Sequence, residues 1–201
     1  MSTEHHLALF DFDGTLIDRD SMLEFVRHCR GSTRFFLGMA WLSPVLVAHR
    51  LRLLAAERAK VIFLRHFLGG MERAALAEAA ASFADRLDGF LRPGALERVV
   101  WHRSQGHDVW VVSASLDLWL EPWMERQGLR VLCTRGHFDG DRFTGALSGP
   151  NCNGAQKALQ IQQTLDLERY ERIYAYGDSS GDTEMLALAH EARFKPFRDE
   201  A

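Results

Sequence analysis

The stretch that most constrains this chain is residues 7–17, LALFDFDGTLI, in which an apolar run ends in two carboxylates, Asp11 and Asp13. An apolar run bounded by a glycine is typical of a buried parallel strand. Side chains alternate across a strand, so residues two apart lie on the same face. Two like charges this close are unfavourable unless a cation or a shared proton relieves the repulsion. The pair therefore predicts a metal site or an acid/base pair at a strand end, where ligands bind in open α/β sheets.

Composition excludes several classes of protein. The 201 residues are 47% hydrophobic, enough for a packed core. The net charge is −3 and no long run carries one sign, so we expect no nucleic-acid partner. Cys29, Cys133 and Cys152 lie far apart and form no CxxC pair, which predicts reduced thiols in a cytoplasmic protein. The first residues, MSTEHH, lack the pattern of a signal peptide.

Residues 35–48, FFLGMAWLSPVLVA, are the one segment that suggests a membrane. They are shorter than the roughly 20 apolar residues that a membrane-spanning helix needs. They also contain Gly38 and Pro44 and lead into His49 and Arg50. We therefore expect no transmembrane segment and predict a helical hairpin here, with peripheral membrane contact as the alternative.

The region between the first strand and residue 88 predicts helices and no strand. Ser21 and Glu24 have the spacing of a capping box, which would start a helix that Gly31 ends. Apolar residues at helical spacing in residues 61–68 and the alanine-rich residues 71–87 predict two further helices. This region would form a helical module above the end of the first strand.

Strands and helices alternate from residue 90 onward, which predicts a parallel sheet with helices on both faces. The predicted elements are a helix at 95–104, a strand at 107–113, a helix at 117–127, a strand at 130–133, a hairpin at 138–143, a helix at 153–165, a strand at 173–176 and a helix at 183–189. We accordingly assign residues 1–17 and 89–201 to an α/β core and residues 18–88 to the inserted helical module.

Further polar motifs fall where predicted strands end or helices begin. Ser113 ends the strand HDVWVVS, where its hydroxyl and the following backbone N–H groups could hold a phosphate oxygen. Lys157 lies early in a helix, and Asp178 and Asp182 lie in GDSSGD after a strand. Carboxylates are ligands that Mg²⁺ prefers. From the residues alone, Ser113 as a helix cap, Lys157 as a solvated lysine and Asp182 as an N-cap remain alternatives.

In this order, DFDGTL, Ser113, Lys157 and GDSSGD resemble the four motifs of the haloacid dehalogenase superfamily of hydrolases. The helical insert and residues 152–157, CNGAQK, are similar to those of subfamily IB, which includes phosphoserine phosphatase. The resemblance implies an α/β fold, a Rossmann-like parallel sheet with helices on both faces, and an inserted all-helical cap.

The resemblance also implies roles for the acidic residues. Asp11 would be the nucleophile that forms an aspartyl-phosphate, and Asp13 would be the general acid/base. Mg²⁺ would be held by Asp11, Asp178 and the backbone carbonyl of Asp13. Lys157 would also be catalytic, since together with the metal it would cancel the repulsion between Asp11 and an anionic phosphoryl group. Asp182 would orient metal-bound water or Lys157.

The substrate-binding set that the resemblance implies is Ser113, Ala114, Lys157 and Asp20. Asp20 stands where phosphoserine phosphatases commonly have a glutamate, and its shorter side chain argues against phosphoserine itself. The implied function is a Mg²⁺-dependent phosphatase acting on a small-molecule phosphomonoester. The alternatives are a lipid phosphate such as phosphatidylglycerophosphate as substrate, a phosphotransferase with the same intermediate, and a non-enzymatic binding module.

Overall fold

The computed structural model describes residues 5–198 and contains a five-stranded parallel sheet at its centre. The strands are β1 (His6–Phe10), β2 (Asp108–Leu116), β3 (Arg130–Thr134), β4 (Gly136–Asp139), β5 (Arg142–Leu147), β6 (Arg172–Gly177) and β7 (Glu191–Phe194). The central sheet has the order β3-β2-β1-β6-β7, and β4 and β5 form a separate antiparallel hairpin. The predicted parallel sheet is confirmed, with β1 in the middle.

Helices cover both faces of this sheet. They are α1 (Ser21–Trp41), α2 (Ser43–Arg50), α3 (Ala56–Leu68), α4 (Arg73–Leu87), α5 (Ala95–Ser104), α6 (Asp117–Gln127), α7 (Ala155–Thr164) and α8 (Thr183–Ala187). Because side chains alternate along β1, Leu7 and Leu9 pack with α7 and α8. Ala8 and Phe10 belong to the larger apolar cluster on the other face, which includes residues of α5 and α6. The alternation of side chains along β1 thus supplies apolar residues to the helices on both faces of the sheet.

The four helices between β1 and β2 extend the larger cluster away from the sheet. Phe63 on α3 and Phe83 on α4 are buried in the same cluster as Phe10. The β4–β5 hairpin also packs on these helices, since Gly70 N–H donates to the Phe143 carbonyl at 2.7 Å. The hairpin thus follows β3 in sequence but contacts the inserted helices. The division into a core of residues 1–17 and 89–201 and a cap of residues 18–88 stays a prediction.

The start of α1 differs from the predicted capping box, which is wrong. The N-cap is Asp20, whose side chain accepts the Leu23 N–H at 3.0 Å. The hydroxyl of Ser21 does not cap the helix, because Ser21 is buried and its hydroxyl is hydrogen-bonded to that of Ser115. Gly31 interrupts the helix with φ 74°, as its position predicted, but helical structure resumes and continues to Trp41.

The predicted helical hairpin at residues 35–48 consists of the end of α1 and the start of α2, with Pro44 in the first turn of α2. Across residues 5–198, none of the helices has both the length and the apolar character needed to cross a bilayer.

Candidate active site

The carboxyl ends of β1 and β6 bring the two acidic motifs together. Asp11 follows β1, and its N–H donates to the Tyr176 carbonyl of β6 at 2.9 Å, while Asp178 directly follows β6. Gly14, three residues after Asp11, contacts Asp178 and has φ +81°, a left-handed conformation that favours glycine. A Cβ at this position would lie 2.4 Å from Asp178 Oδ2. Glycine is therefore required at position 14 by both conformation and space.

Lys157 links two of the predicted carboxylates. Its Nζ lies 2.8 Å from Asp11 Oδ1 and 2.5 Å from Asp182 Oδ1, and its side chain is 1% exposed. Burial acts to lower the pKa of Lys157, but the charges of Asp11 and Asp182 outweigh it and raise the pKa, so the lysine is cationic. Burial raises the pKa of Asp11 to about 6, although the charge of Lys157 opposes this shift. The three groups form a buried ion cluster with one cation and two carboxylates.

Asp182 is held by donors on its other oxygen. Its Oδ2 accepts the N–H of Asp178 at 3.1 Å and the N–H and hydroxyl of Ser179 at 3.0 and 2.9 Å. Burial acts to raise the pKa of Asp182, but Lys157 and these donors overcome it, so the pKa is lowered. The side chain makes no capping bond to α8. Asp182 therefore fixes the position of the Lys157 ammonium.

Asp13 lies among neutral donors instead. Its Oδ1 accepts the Ser21 N–H at 2.5 Å and its Oδ2 accepts the Ser115 hydroxyl at 2.6 Å. Trp119 Nε1–H donates to the Ser21 hydroxyl at 3.0 Å and so holds this network in place. Burial, followed by the charge of Asp20, raises the pKa of Asp13 to about 7. Near neutral pH, a substantial fraction of Asp13 carries a proton.

The end of β2 contributes a turn of small residues. The pairing of β2 with β3 shifts register between Ser113 and Leu116, which leaves Ala114 and Ser115 outside the regular ladder. The buried Ser113 hydroxyl accepts the Ser115 N–H at 3.0 Å, and the Ala114 carbonyl accepts the Thr134 hydroxyl at 2.7 Å. The strand is longer than predicted, and phosphate binding by Ser113 and Ala114 stays a prediction.

Lys60 is a candidate that the sequence analysis missed. It extends from α3, and its ammonium donates to the Ala114 carbonyl and, at 2.8 Å, to Asn151 Oδ1. Burial lowers the pKa of Lys60 to about 8. A signal was present in the sequence, because Lys60 precedes Phe63 by three residues and Phe67 by seven and so lies on the apolar stripe of its helix. A lysine in such a stripe needs a polar partner in the fold.

Ser115 and Ser21 were also missed as partners of Asp13. The small polar run SAS marks the end of β2, but nothing local shows which hydroxyl meets a carboxylate more than 100 residues away. Asp20, predicted to bind substrate, caps α1 and is exposed. It acts on the site through its charge, which raises the pKa of Asp13.

The acidic side chains include a group that could hold a cation. Ligand oxygens of Asp11, Asp178 and Asp182 lie within 4.8 Å of one another. Asp182 fits poorly as a ligand, because its oxygens already accept four hydrogen bonds, from Lys157, Asp178 and Ser179. Each oxygen of Asp11 accepts a single one, from Lys157 or Thr15. Burial and the charge of Asp182 raise the pKa of Asp178, and Arg198 pairs with its Oδ2 at 2.7 Å. Asp11 and Asp178 thus offer carboxylate oxygens with excess negative charge, which fits a hard cation such as Mg²⁺.

The fold and the order of these motifs define a family. The family model for haloacid dehalogenase-like hydrolases matches residues 8–187, and the chain belongs to this family. The predicted resemblance, including its likeness to phosphoserine phosphatases, is confirmed.

Individual relatives support the assignment. The chain is 35% identical to protein CicA of Caulobacter vibrioides, over 98% of this chain and 89% of that protein. A crystal structure of a protein of unknown function from Bordetella pertussis Tohama I matches with a TM-score of 0.83 at 22% identity, covering 94% of this chain and 89% of that one. The phospho-aspartyl intermediate analogue of a phosphoserine phosphatase matches with a TM-score of 0.69 at 20% identity, covering 94% and 85%. At these identities the two solved structures show a common fold.

Proposed function

We propose that the protein is a Mg²⁺-dependent phosphatase that hydrolyses a small-molecule phosphomonoester through an aspartyl-phosphate. The observation that carries this proposal is the contrast between the two carboxylates after β1. Asp11 is paired with the Lys157 ammonium, whereas Asp13 receives neutral donors and has a pKa raised to about 7. Membership of a hydrolase family and the fold shared with phosphoserine phosphatases support it.

The two carboxylates divide the chemistry between them. An oxygen of Asp11 attacks phosphorus while the bond from phosphorus to the leaving oxygen breaks, and Asp13 gives its proton to that oxygen. Asp13 then takes a proton from a water molecule that attacks the same phosphorus. The bond between phosphorus and Asp11 breaks, which releases phosphate and restores both carboxyl groups. The raised pKa of Asp13 suits both proton transfers near neutral pH.

The remaining predicted residues bind and neutralise the phosphoryl group. Asp11, Asp178 and the backbone carbonyl of Asp13 would hold Mg²⁺, which, when bound, supplies positive charge that lowers the repulsion between anionic groups. Lys157 adds a second positive charge next to Asp11. Phosphoryl oxygens would be bound by the hydroxyl of Ser113 and the N–H of Ala114.

The substrate's leaving group is proposed to lie on the side of α1 and α3. Lys60 projects from α3 toward the end of β2 and offers a cation to an anionic or oxygen-rich part of the substrate. Asp20, at the start of α1, is proposed to contact the same part. A cytoplasmic location is proposed because the cysteines of residues 5–198, which are Cys29, Cys133 and Cys152, are free thiols.

A lipid phosphate is a second candidate substrate. The observation that favours it is the exposure of large apolar side chains on α1 and α2, including Trp41. A phosphomonoester on a lipid would present the same reacting group to Asp11, with its acyl chains held outside the site.

The test is a phosphomonoester panel, including lipid phosphates, assayed with the purified protein and Mg²⁺. Asp11→Asn should abolish phosphate release, and the exposed Asp18→Asn is the matched control on the same segment. Acid quenching should trap a phosphorylated wild-type protein. Near-wild-type activity in a folded Asp11→Asn protein would refute the mechanism. Transfer of phosphate to an alcohol in preference to water would identify a phosphotransferase.

A further inference from the structure

One part of the inserted helices carries an excess of positive over negative charge. Residues 27–66 contain eight lysines and arginines and one acidic residue, Glu57, a formal charge of +7. The whole chain has a net charge of −3, so the remainder is strongly acidic. A segment whose charge is opposite to that of the rest of the molecule gives the protein one face that attracts anions.

The same segment exposes large apolar side chains. Trp41 is 77% exposed and Leu53 is 79% exposed. Helix α2, with the sequence SPVLVAHR, has no fully buried side chain, although Val45 packs partly buried against the main apolar cluster. The main exposed apolar residues of this segment are Phe36, Leu37, Trp41, Val47, Leu51 and Leu53. An apolar surface of this kind, interspersed with basic residues, indicates an interaction site.

Cations and apolar groups alternate on this surface. Arg30 and Arg34 lie with Leu37 and Trp41 around a shallow groove of about 370 Å³. Arg50, the last residue of α2, and Arg52 flank Leu51. Arg52 has φ 61°, a left-handed conformation that turns the chain there. We call residues 30–41 and 46–53 the cap patch. The cap patch combines a tryptophan, aliphatic side chains and arginines, the composition of segments that lie in a membrane interface.

We propose that the cap patch docks the protein on the surface of a bilayer that contains anionic phospholipids. The aliphatic side chains and Trp41 would enter the boundary between headgroups and acyl chains, and the arginines would contact lipid phosphates. This proposal goes beyond the proposed function, because docking needs no catalytic step.

Charge selects this occupant over two others. A second copy of the chain would bring two sets of arginines face to face, and like charges across an interface are unfavourable. A nucleic acid would pair with the arginines but would leave Trp41, Val47 and Leu53 without an apolar partner. An anionic bilayer satisfies both kinds of side chain at once.

Docking would place the proposed catalytic site near the membrane surface. Helix α3 begins at Ala56, three residues after the cap patch ends, and its next turn carries Lys60. Lys60 contacts the Ala114 carbonyl at the end of β2. Lys60 thus follows the end of the cap patch by seven residues.

The experiment is cosedimentation with vesicles of phosphatidylcholine alone and of phosphatidylcholine mixed with phosphatidylglycerol. Wild-type protein and Asp11→Asn should bind the mixed vesicles equally, so failure of the phosphatase mechanism would not affect this result. Trp41→Ser should weaken binding about tenfold, since it removes a large apolar group. Arg50→Glu with Arg52→Glu should weaken it on the order of 25-fold, from about fivefold for each basic residue near an anionic leaflet.

Matched controls remove comparable groups elsewhere. Val100→Ser removes an exposed apolar residue from α5, and Arg169→Glu with Arg193→Glu changes the net charge by the same amount. These variants should bind as the wild type does, and high salt should weaken all binding. Circular dichroism verifies folding for each variant.

Four results would overturn the proposal. The first is equal binding to both kinds of vesicle, or to neither. The second is an equal loss of binding in Val100→Ser and Trp41→Ser. The third is a dimer in sedimentation equilibrium that Trp41→Ser dissociates. The fourth is an oligonucleotide that binds the protein more tightly than the mixed vesicles do and is released by the Arg50→Glu, Arg52→Glu variant.

Discussion

Lys157→Met tests the site at its most buried charge. Methionine keeps an unbranched side chain but removes the ammonium that lies between Asp11 and Asp182. Both carboxylates remain almost fully buried, with Asp11 6% and Asp182 1% exposed. Removing one partner of a buried ion cluster costs about 3–5 kcal/mol of stability. Loss of a preorganised positive charge should also lower turnover about 10²–10³-fold.

The loss of stability should depend on pH in a defined direction. In the variant, Asp11 no longer feels the charge of Lys157, so its pKa should rise further above about 6. When the pKa of a carboxyl group is higher in the folded than in the unfolded state, the free energy of unfolding of the protein decreases as the pH rises toward the folded-state pKa. The destabilisation should therefore be largest above about pH 7 and smallest near about pH 4, where Asp11 is protonated.

A second substitution separates stability from catalysis. Lys157→Met combined with Asp182→Asn removes one of the two unpaired carboxylates. The double variant should recover part of the lost stability but none of the lost turnover. If the recovery comes from relief of repulsion, it should be greatest at high pH.

Urea unfolding in buffer with a chelator measures the stabilities, and hydrolysis of p-nitrophenyl phosphate with Mg²⁺ measures turnover. Lys195→Met, at an exposed lysine, is the matched control. Near-wild-type turnover in Lys157→Met would refute the catalytic role. A destabilisation that is the same at every pH would refute the electrostatic argument.

Three further variants test other parts of the molecule. Ser115→Ala removes a hydrogen bond that lowers the pKa of Asp13, so the basic limb of the pH–rate profile should move to higher pH; an unmoved limb contradicts this. Gly14→Ala should weaken Mg²⁺ binding about 10–100-fold by displacing Asp178, as measured by Mg²⁺ titration of activity. Burial lowers the pKa of His102 to about 3, so the folded state excludes a proton that the unfolded state binds below its pKa of 6.5. Stability should fall by roughly 2 kcal/mol at about pH 5, and His102→Gln should flatten this slope in urea unfolding.

Local sequence signals predicted most of the fold. Helices α5 and α6 have the predicted limits because glycines mark them, with Gly94 and Gly128 both at positive φ. Strand β7 was missed because Glu191–Phe194 is short and buries none of its side chains. This edge strand forms because its backbone pairs with that of β6. Backbone pairing requires no particular hydrophobic pattern in the sequence of β7.

The site was predictable where its parts are local motifs. Asp11 and Asp178 directly follow the strands β1 and β6. Lys60, in contrast, meets Ala114 only because the chain folds back over 54 residues. The capping box failed for the same reason. Ser21 has the local spacing of a cap, but its tertiary contact with Ser115 determines where its hydroxyl points.

The net charge of the whole chain likewise gave no sign of the basic segment, which becomes visible only when the charges are counted along the sequence. A value of −3 describes no face of this molecule, since residues 27–66 carry +7. The absence of a long run of one sign also misleads, because the arginines of α1 and α2 are separated in sequence by apolar residues. The fold then places Arg30 and Arg34 beside Leu37 and Trp41 around one groove.

The two carboxylates that open the chain differ because the protein surrounds them differently. Asp11 is buried and Asp13 is half-buried, and loss of solvation raises the pKa of each. Asp11 then receives Lys157, and a cation bound between Asp11 and Asp178 would lower its pKa further, which favours the ionised form that a nucleophile needs. Asp13 instead accepts the neutral donors of Ser115 and Ser21, which do not offset burial and the negative charge of Asp20. Burial and Asp20 favour the protonated form that an acid needs. The roles proposed for these two side chains, only two residues apart, thus rest on the pairing of Asp11 with the Lys157 ammonium, whereas Asp13 accepts neutral donors.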